Sequence, residues 1–165
     1  MSSVERDWLE TRILNIDYQD VKKVSVNHLN KKESFSLIKD DKNENFLIDN
    51  LTKEQIPKSD LIANHIGYFF TNLIFEDVFE HKNIIDSEII TKINFELFDG
   101  VNILSTIFKK DRDKWINISI DNQSALKLKE NKNIFVDNIE NWTYKLPSTK
   151  YNISDAKLND LLVED

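Results

Sequence analysis

Ile89, Thr91, Ile93, Phe95 and Leu97 occupy every second position of one run, with Lys92, Asn94 and Glu96 between them. Successive side chains of a strand point to opposite faces, so this alternation reads as a strand half-buried on one side. Asp99-Gly100 follows at once, and Val101–Lys110 reads as the return strand. Asp-Gly between two such runs is a hairpin signal, and the reading is a type I′ turn with positive φ at both central residues. Asp111–Asp113 marks the next turn. Lys114–Ile120 then reads as a third strand, with Ile116, Ile118 and Ile120 on one face. This meander constrains the fold more than any other stretch of the chain.

An earlier stretch repeats the pattern. Val24, Val26 and His28 alternate with Lys23, Ser25 and Asn27, and two further short strands are predicted at 33–39 and 45–51, separated by Asn/Asp/Lys turns. Helix is predicted after Pro57, with Ser59 as N-cap and Ile62, Ile66, Phe69, Phe70 and Leu73 along one face. Gly67 inside it costs about 1 kcal/mol relative to alanine, which implies a close contact there. A short helix or turn is predicted around Trp8, Leu9, Ile13 and Leu14. A second helix is predicted over 124–141, capped by Ser124 and presenting Leu128, Phe135 and Ile139. The last helix would start at Ser154 and carry Ala156, Leu158, Leu161 and Leu162.

The expected order is βββ-α-βββ-α plus a C-terminal helix. That is an α+β fold of antiparallel meanders with helices packed on one side. One domain over 1–165 is expected, with possible pseudo-repeat halves at 15–80 and 85–165.

Composition removes several function classes. The net charge is −7, and the lysine pairs Lys22/Lys23, Lys31/Lys32 and Lys109/Lys110 are scattered among acidic residues, so nucleic acid is disfavoured as a partner. Zero cysteine excludes disulfides, thiolate zinc sites and cysteine nucleophiles. Two glycines, Gly67 and Gly100, cannot build a phosphate-cradling loop. No cofactor is indicated.

One cluster could carry metal or acid–base chemistry: Glu76, Asp77, Glu80 and His81. Hard cations accept grouped carboxylates, but Glu76 and Glu80 would share a face only on a continuous helix. A solvated acidic helix end is the better reading of these residues. His28 and His65 stand singly, on a strand and a helix, with no nucleophile and orienting group marked beside either. Trp142, Tyr144, Leu146 and Pro147 form an aromatic knot. Their alternation suits an extended segment packing one side on a core, a clasp and not a platform, for which Trp142→Ala would cost about 3–5 kcal/mol. Trp8, Asp99, Gly100, Trp142, Tyr144 and Pro147 are accordingly read as structural residues.

Four segments in order resemble the bacterial family called domain of unknown function 4340. Residues 7–26 are similar to the Trp-Leu entry and Ile-Asp…Val…Val run of a repeat in that family. Residues 73–78 resemble its segment after the central helix. Residues 95–103 resemble its Asp-Gly hairpin, with Leu97 where the family usually has Thr, and 141–162 resemble its closing Trp-x-Tyr…Pro…Leu-Leu. The resemblance implies the C-terminal repeat of a protein anchored by a membrane-spanning helix that this chain lacks. It implies a periplasmic or other extracytoplasmic location, no catalytic residues, and a protein partner in the cell envelope, among them ABC transporter components. The alternatives are a self-associating structural module and a hydrolase using the Glu76–His81 cluster.

Overall fold

The computed structural model describes residues 11–80 and 89–163. Trp8 and His81 lie outside the described residues. Ten strands are formed there: β1 (Arg12–Leu14), β2 (Val21–His28), β3 (Phe35–Ile38), β4 (Leu47–Ile48), β5 (Leu73–Ile74), β6 (Val78–Glu80), β7 (Ile89–Leu97), β8 (Asn102–Lys110), β9 (Asp113–Ile120) and β10 (Trp142–Lys145). The helices are α1 (Asp60–Gly67), α2 (Asn122–Glu130) and α3 (Tyr151–Ser154). The fold is α+β and its sheets are antiparallel.

Eight strands join one sheet in the order β4-β3-β2-β7-β8-β9-β10-β6, and β1 pairs with β5 separately. The two meanders therefore meet along β2 and β7. Register aligns the alternating residues into rows across the sheet. Leu37, Val24, Phe95, Ile103 and Ile120 form one row, and Phe35, Val26, Ile93, Ser105 and Ile118 the next. A third row runs His28, Thr91, Ile107, Ile116 and Tyr144, polar at one end and apolar at the other. Ser105 is tolerated in its apolar row because its hydroxyl donates to the Ile93 carbonyl. This face is covered by Ala63 and Ile66 of α1, by Phe69, Phe70 and Leu73, by Ile13, Leu14 and Ile16, and by Leu128, Ile153 and Leu161. The opposite face carries Ser25, Ser36, Asn94, Leu104 and Ser119, none of them buried.

Several elements differ from expectation, each for a local reason. Ile13 and Leu14 lie in a strand, not a helix, and both are fully buried because β1 has β5 on one side and an isolated bridge from Leu14 to Ile134 on the other. The first helix keeps its Ser59 cap, whose side chain accepts from the Leu61 N–H at 3.1 Å, but it ends at Gly67. A Cβ at Gly67 would sit 2.6 Å from Phe46 Cε2 and 3.0 Å from Tyr18 Cδ2, so the close contact is real. Phe69 and Phe70 follow the helix, and Leu73 belongs to β5. They remain core residues, and the Phe70 ring meets Phe95 edge-on at 4.5 Å.

The Asp99-Gly100 turn is a three-residue loop and not type I′. Gly100 alone takes a positive φ (+91°), its N–H donates to Leu97 O at 3.0 Å, and Leu97 N–H donates to Val101 O at 2.8 Å. This is the arrangement in which a left-handed glycine forms a bulge after an ordinary turn. In the second half, Asp121 and not Ser124 caps α2, accepting from the Ser124 N–H at 2.8 Å and the Ser124 hydroxyl at 2.9 Å. The helix stops at Glu130, with Lys132 at φ 60°, so Phe135 and Ile139 lie beyond it. Ser154 ends α3 instead of starting a helix, and its hydroxyl donates to Tyr151 O at 2.8 Å. Leu158–Leu161 form a 3₁₀ turn in place of the expected C-terminal helix.

Within the aromatic knot, Tyr144 and Leu146 are buried, whereas Trp142 is half-buried against the core. Tyr144 sits between Ile116 of β9 and Val78 of β6. Pro147 follows the strand and precedes the 3₁₀ turn Ser148–Lys150.

Candidate functional site

Polar side chains gather at several places among the described residues, and two of them bear on function. The first lies at the polar end of the third row, where Tyr151–Leu161 crosses the sheet. His28 comes from the end of β2 and Thr91 from β7. The His28 Nε2–H donates to the Ala156 carbonyl at 2.6 Å, and Nδ1 faces the Thr91 hydroxyl at 3.4 Å. That hydroxyl donates to Ser154 O at 3.1 Å. Lys114 of β9 pairs with Asp155, donates to Tyr151 O at 3.4 Å, and stands over the Tyr151 ring. Burial, with Lys109 alongside, pushes the Lys114 ammonium below its usual range. Lys157 pairs with Glu33 at 2.8 Å, and that carboxylate holds its ammonium above the usual range.

These groups border an open cleft of about 370 Å³. On the far side of the same segment a second cleft of about 330 Å³ has Ile62, Ile66, Ile153 and Leu161 in its lining and exposed His65 among its polar members. Chemically the first cleft is a fastening. His28, Thr91 and Lys114 are engaged with carbonyls and a carboxylate of the segment they hold, and Lys157 of that segment with Glu33.

The second place is a crevice of about 320 Å³ at the opposite end of the sheet, more enclosed than either cleft. Asp20, Lys42, Phe98, Asp99, Asn131 and Asn133 contribute to it. They arrive from the turn before β2, the β3–β4 connection, the β7–β8 loop and the end of α2. The walls are tied together: Phe98 N–H donates to Asp20 O at 3.0 Å, Lys127 Nζ to Asp99 O at 2.7 Å, and Asn133 Nδ2 to Asn15 O at 2.8 Å.

Comparison of the chain with protein families, curated proteins and solved structures finds no match in any of the three.

The residues singled out from sequence are dispersed among these places. Glu76, Asp77 and Glu80 are exposed around β6, a strand and not a helix end, so the geometry that would have put Glu76 and Glu80 on one face is not formed. Asp77 accepts from its neighbour's Val78 N–H at 2.8 Å. Among the described residues no group of three or more His, Asp or Glu is placed to hold a metal ion. Asp99, read as a turn residue, also brings a carboxylate to the crevice. Lys114, Asp155, Asp20, Lys42, Asn131 and Asn133 were not legible as a set, because each place is assembled from distant segments. The one local signal was the Asn131-Lys132-Asn133 run, which suits a helix stop.

Among the described residues no helix is long and apolar enough to cross a membrane.

Proposed function

We propose that this chain is a non-enzymatic binding domain, an accessory to an ABC-type transporter on the extracytoplasmic face of a bacterial membrane. A membrane anchor would tether it. The resemblance to the domain of unknown function 4340 family supplies the context, and its segments fall on adjoining strands. Residues 95–103 enter the β7–β8 hairpin beside β2, and the 73–78 and 141–162 segments meet where β6 pairs with β10.

The observation that carries the binding reading is how the polar groups are used. His28, the histidine with the richest surroundings, holds the Ala156 carbonyl of the C-terminal segment, which is a structural duty. The crevice by contrast keeps polar groups unspent on walls fixed by backbone hydrogen bonds, which favours holding a ligand over transforming one.

The test uses the full-length protein, tagged and crosslinked in its own membrane before solubilisation. Transporter subunits should be recovered with it. Recovery of cytosolic proteins alone would overturn the reading.

A further inference from the structure

We infer that the crevice between the β7–β8 loop and the end of α2 is a saccharide-binding site. The inference gives a ligand class to the binding reading above and rests on it.

Hydrogen-bond capacity left over in the crevice defines what fits. Asp20 Oδ1 accepts from Lys42 Nζ at 3.1 Å, and its second oxygen has no donor among the described residues. Asp99 Oδ1 accepts from the Val101 N–H at 3.1 Å, again leaving one oxygen. Asn133 spends one of its two amide N–H groups on Asn15 O at 2.8 Å and keeps the other, with its side-chain carbonyl. The Asn131 side chain makes no hydrogen bond among the described residues. Two carboxylate oxygens, the carbonyl and one N–H of Asn133, the whole Asn131 amide and the unused protons of Lys42 therefore remain. Such a set asks for a ligand that carries donors and acceptors side by side. Adjacent hydroxyls of a sugar offer both, in a ring that fits about 320 Å³.

Other ligand classes fit less well. The two carboxylates disfavour phosphate and carboxylate ligands, and the ammonium groups that would attract them are already engaged, Lys42 with Asp20 and Lys127 with Asp99 O. The Lys42 ammonium, already on Asp20, opposes a dication entering an oxygen-lined site. Apolar ligands would strand the unpaired amide and carboxylate oxygens. Phe98 supplies the remaining element, a half-buried aromatic side chain against which the C–H face of a pyranose can pack. The tied walls mean that little ordering would accompany binding.

The experiment titrates the isotope-labelled 165-residue chain with glucose, galactose, mannose, N-acetylglucosamine and their β1,4-linked dimers, followed by amide NMR shifts. At least one sugar should shift Phe98, Gly100, Asn131 and Asn133 together. Asp20→Asn and Asn131→Ala should each weaken that sugar about tenfold, the loss expected for one or two ligand hydrogen bonds. Their unliganded spectra away from the crevice should match the parent, which separates lost binding from lost fold. Three outcomes overturn the inference: no shift with any sugar up to about tens of millimolar, the weak limit of a specific site; equal binding by both variants; or shifts at these amides with calcium chloride instead of sugar. If the sugars fail while transporter subunits are still recovered from membranes, only the ligand assignment falls. If sugars bind and the subunits are not recovered, the transporter context falls.

Discussion

Replacing Tyr144 with phenylalanine removes one oxygen atom from the middle of the core. The ring is 1% exposed, lies 5.2 Å from Phe75, and is flanked by Ile116 and Val78 on the neighbouring strands. Its hydroxyl has no hydrogen-bond partner among the described residues. A buried hydroxyl without a partner costs about 1–3 kcal/mol, while the ring contacts stay the same in phenylalanine. Tyr144→Phe should therefore stabilise the protein by about 1–2 kcal/mol, equivalent to about 2–8 °C in Tm for a chain of this size. Urea unfolding followed by tryptophan fluorescence reads the change as a higher midpoint at constant slope. Tyr144→Ala serves as the opposite control and should lose about 3–5 kcal/mol.

A second readout is alkaline. Burial, and secondarily Glu140, holds the Tyr144 phenol above its ordinary value of 10.0. Above that pH the unfolded chain releases a proton that the folded chain retains. The folding stability is thus insensitive to this group below pH 10 and declines above it. Tyr144→Phe should decline less steeply there by one titrating group. A loss of 1 kcal/mol or more in Tyr144→Phe at neutral pH would refute the reasoning, since the hydroxyl would then be a paired one.

Gly67→Ala should destabilise by about 1–3 kcal/mol despite alanine's better helix propensity, because the new methyl collides with Phe46 and Tyr18; chemical denaturation measures it. Trp142→Ala should cost about 2–3 kcal/mol, below the loss for Tyr144→Ala, because Trp142 is half-buried; the same denaturation series ranks the two. His28→Ala removes the bond to Ala156 and should speed hydrogen exchange across 151–162 by about tenfold relative to β8, the equivalent of about one net hydrogen bond.

The strands β2, β3, β7, β8 and β9 could be read in advance because exposure follows parity along most of each, and parity is local; it fails where Ile107-Phe108 and Lys114–Ile116 are buried in succession. Phe69 and Phe70 were identified as buried on a helical period, yet their backbone leaves the helix. The period measures burial, whereas Gly67 pressed against Phe46 determines where the helix ends. Ser124 and Ser154 both carry the right chemistry for a cap. What decides the position is which residue precedes the first turn, and Asp121 competes successfully with Ser124. The short strands β1, β5 and β6 give too few residues for alternation to register. The crevice left almost no trace, since Asp20, Lys42, Asp99 and Asn131 become neighbours only through the sheet order.

The pairing of β6 with β10 also bears on how the chain reaches its fold. Val78–Glu80 precede β7, β8 and β9 in sequence but lie outside all three in the sheet, hydrogen-bonded to Trp142–Lys145. During synthesis from the N-terminus, β6 therefore emerges long before the strand that completes it. Contacts of such wide sequence separation slow folding, and in the interval the strand offers unpaired N–H and C=O groups to other chains. The time between translating residue 80 and residue 145 is the period in which this protein is most open to mispairing.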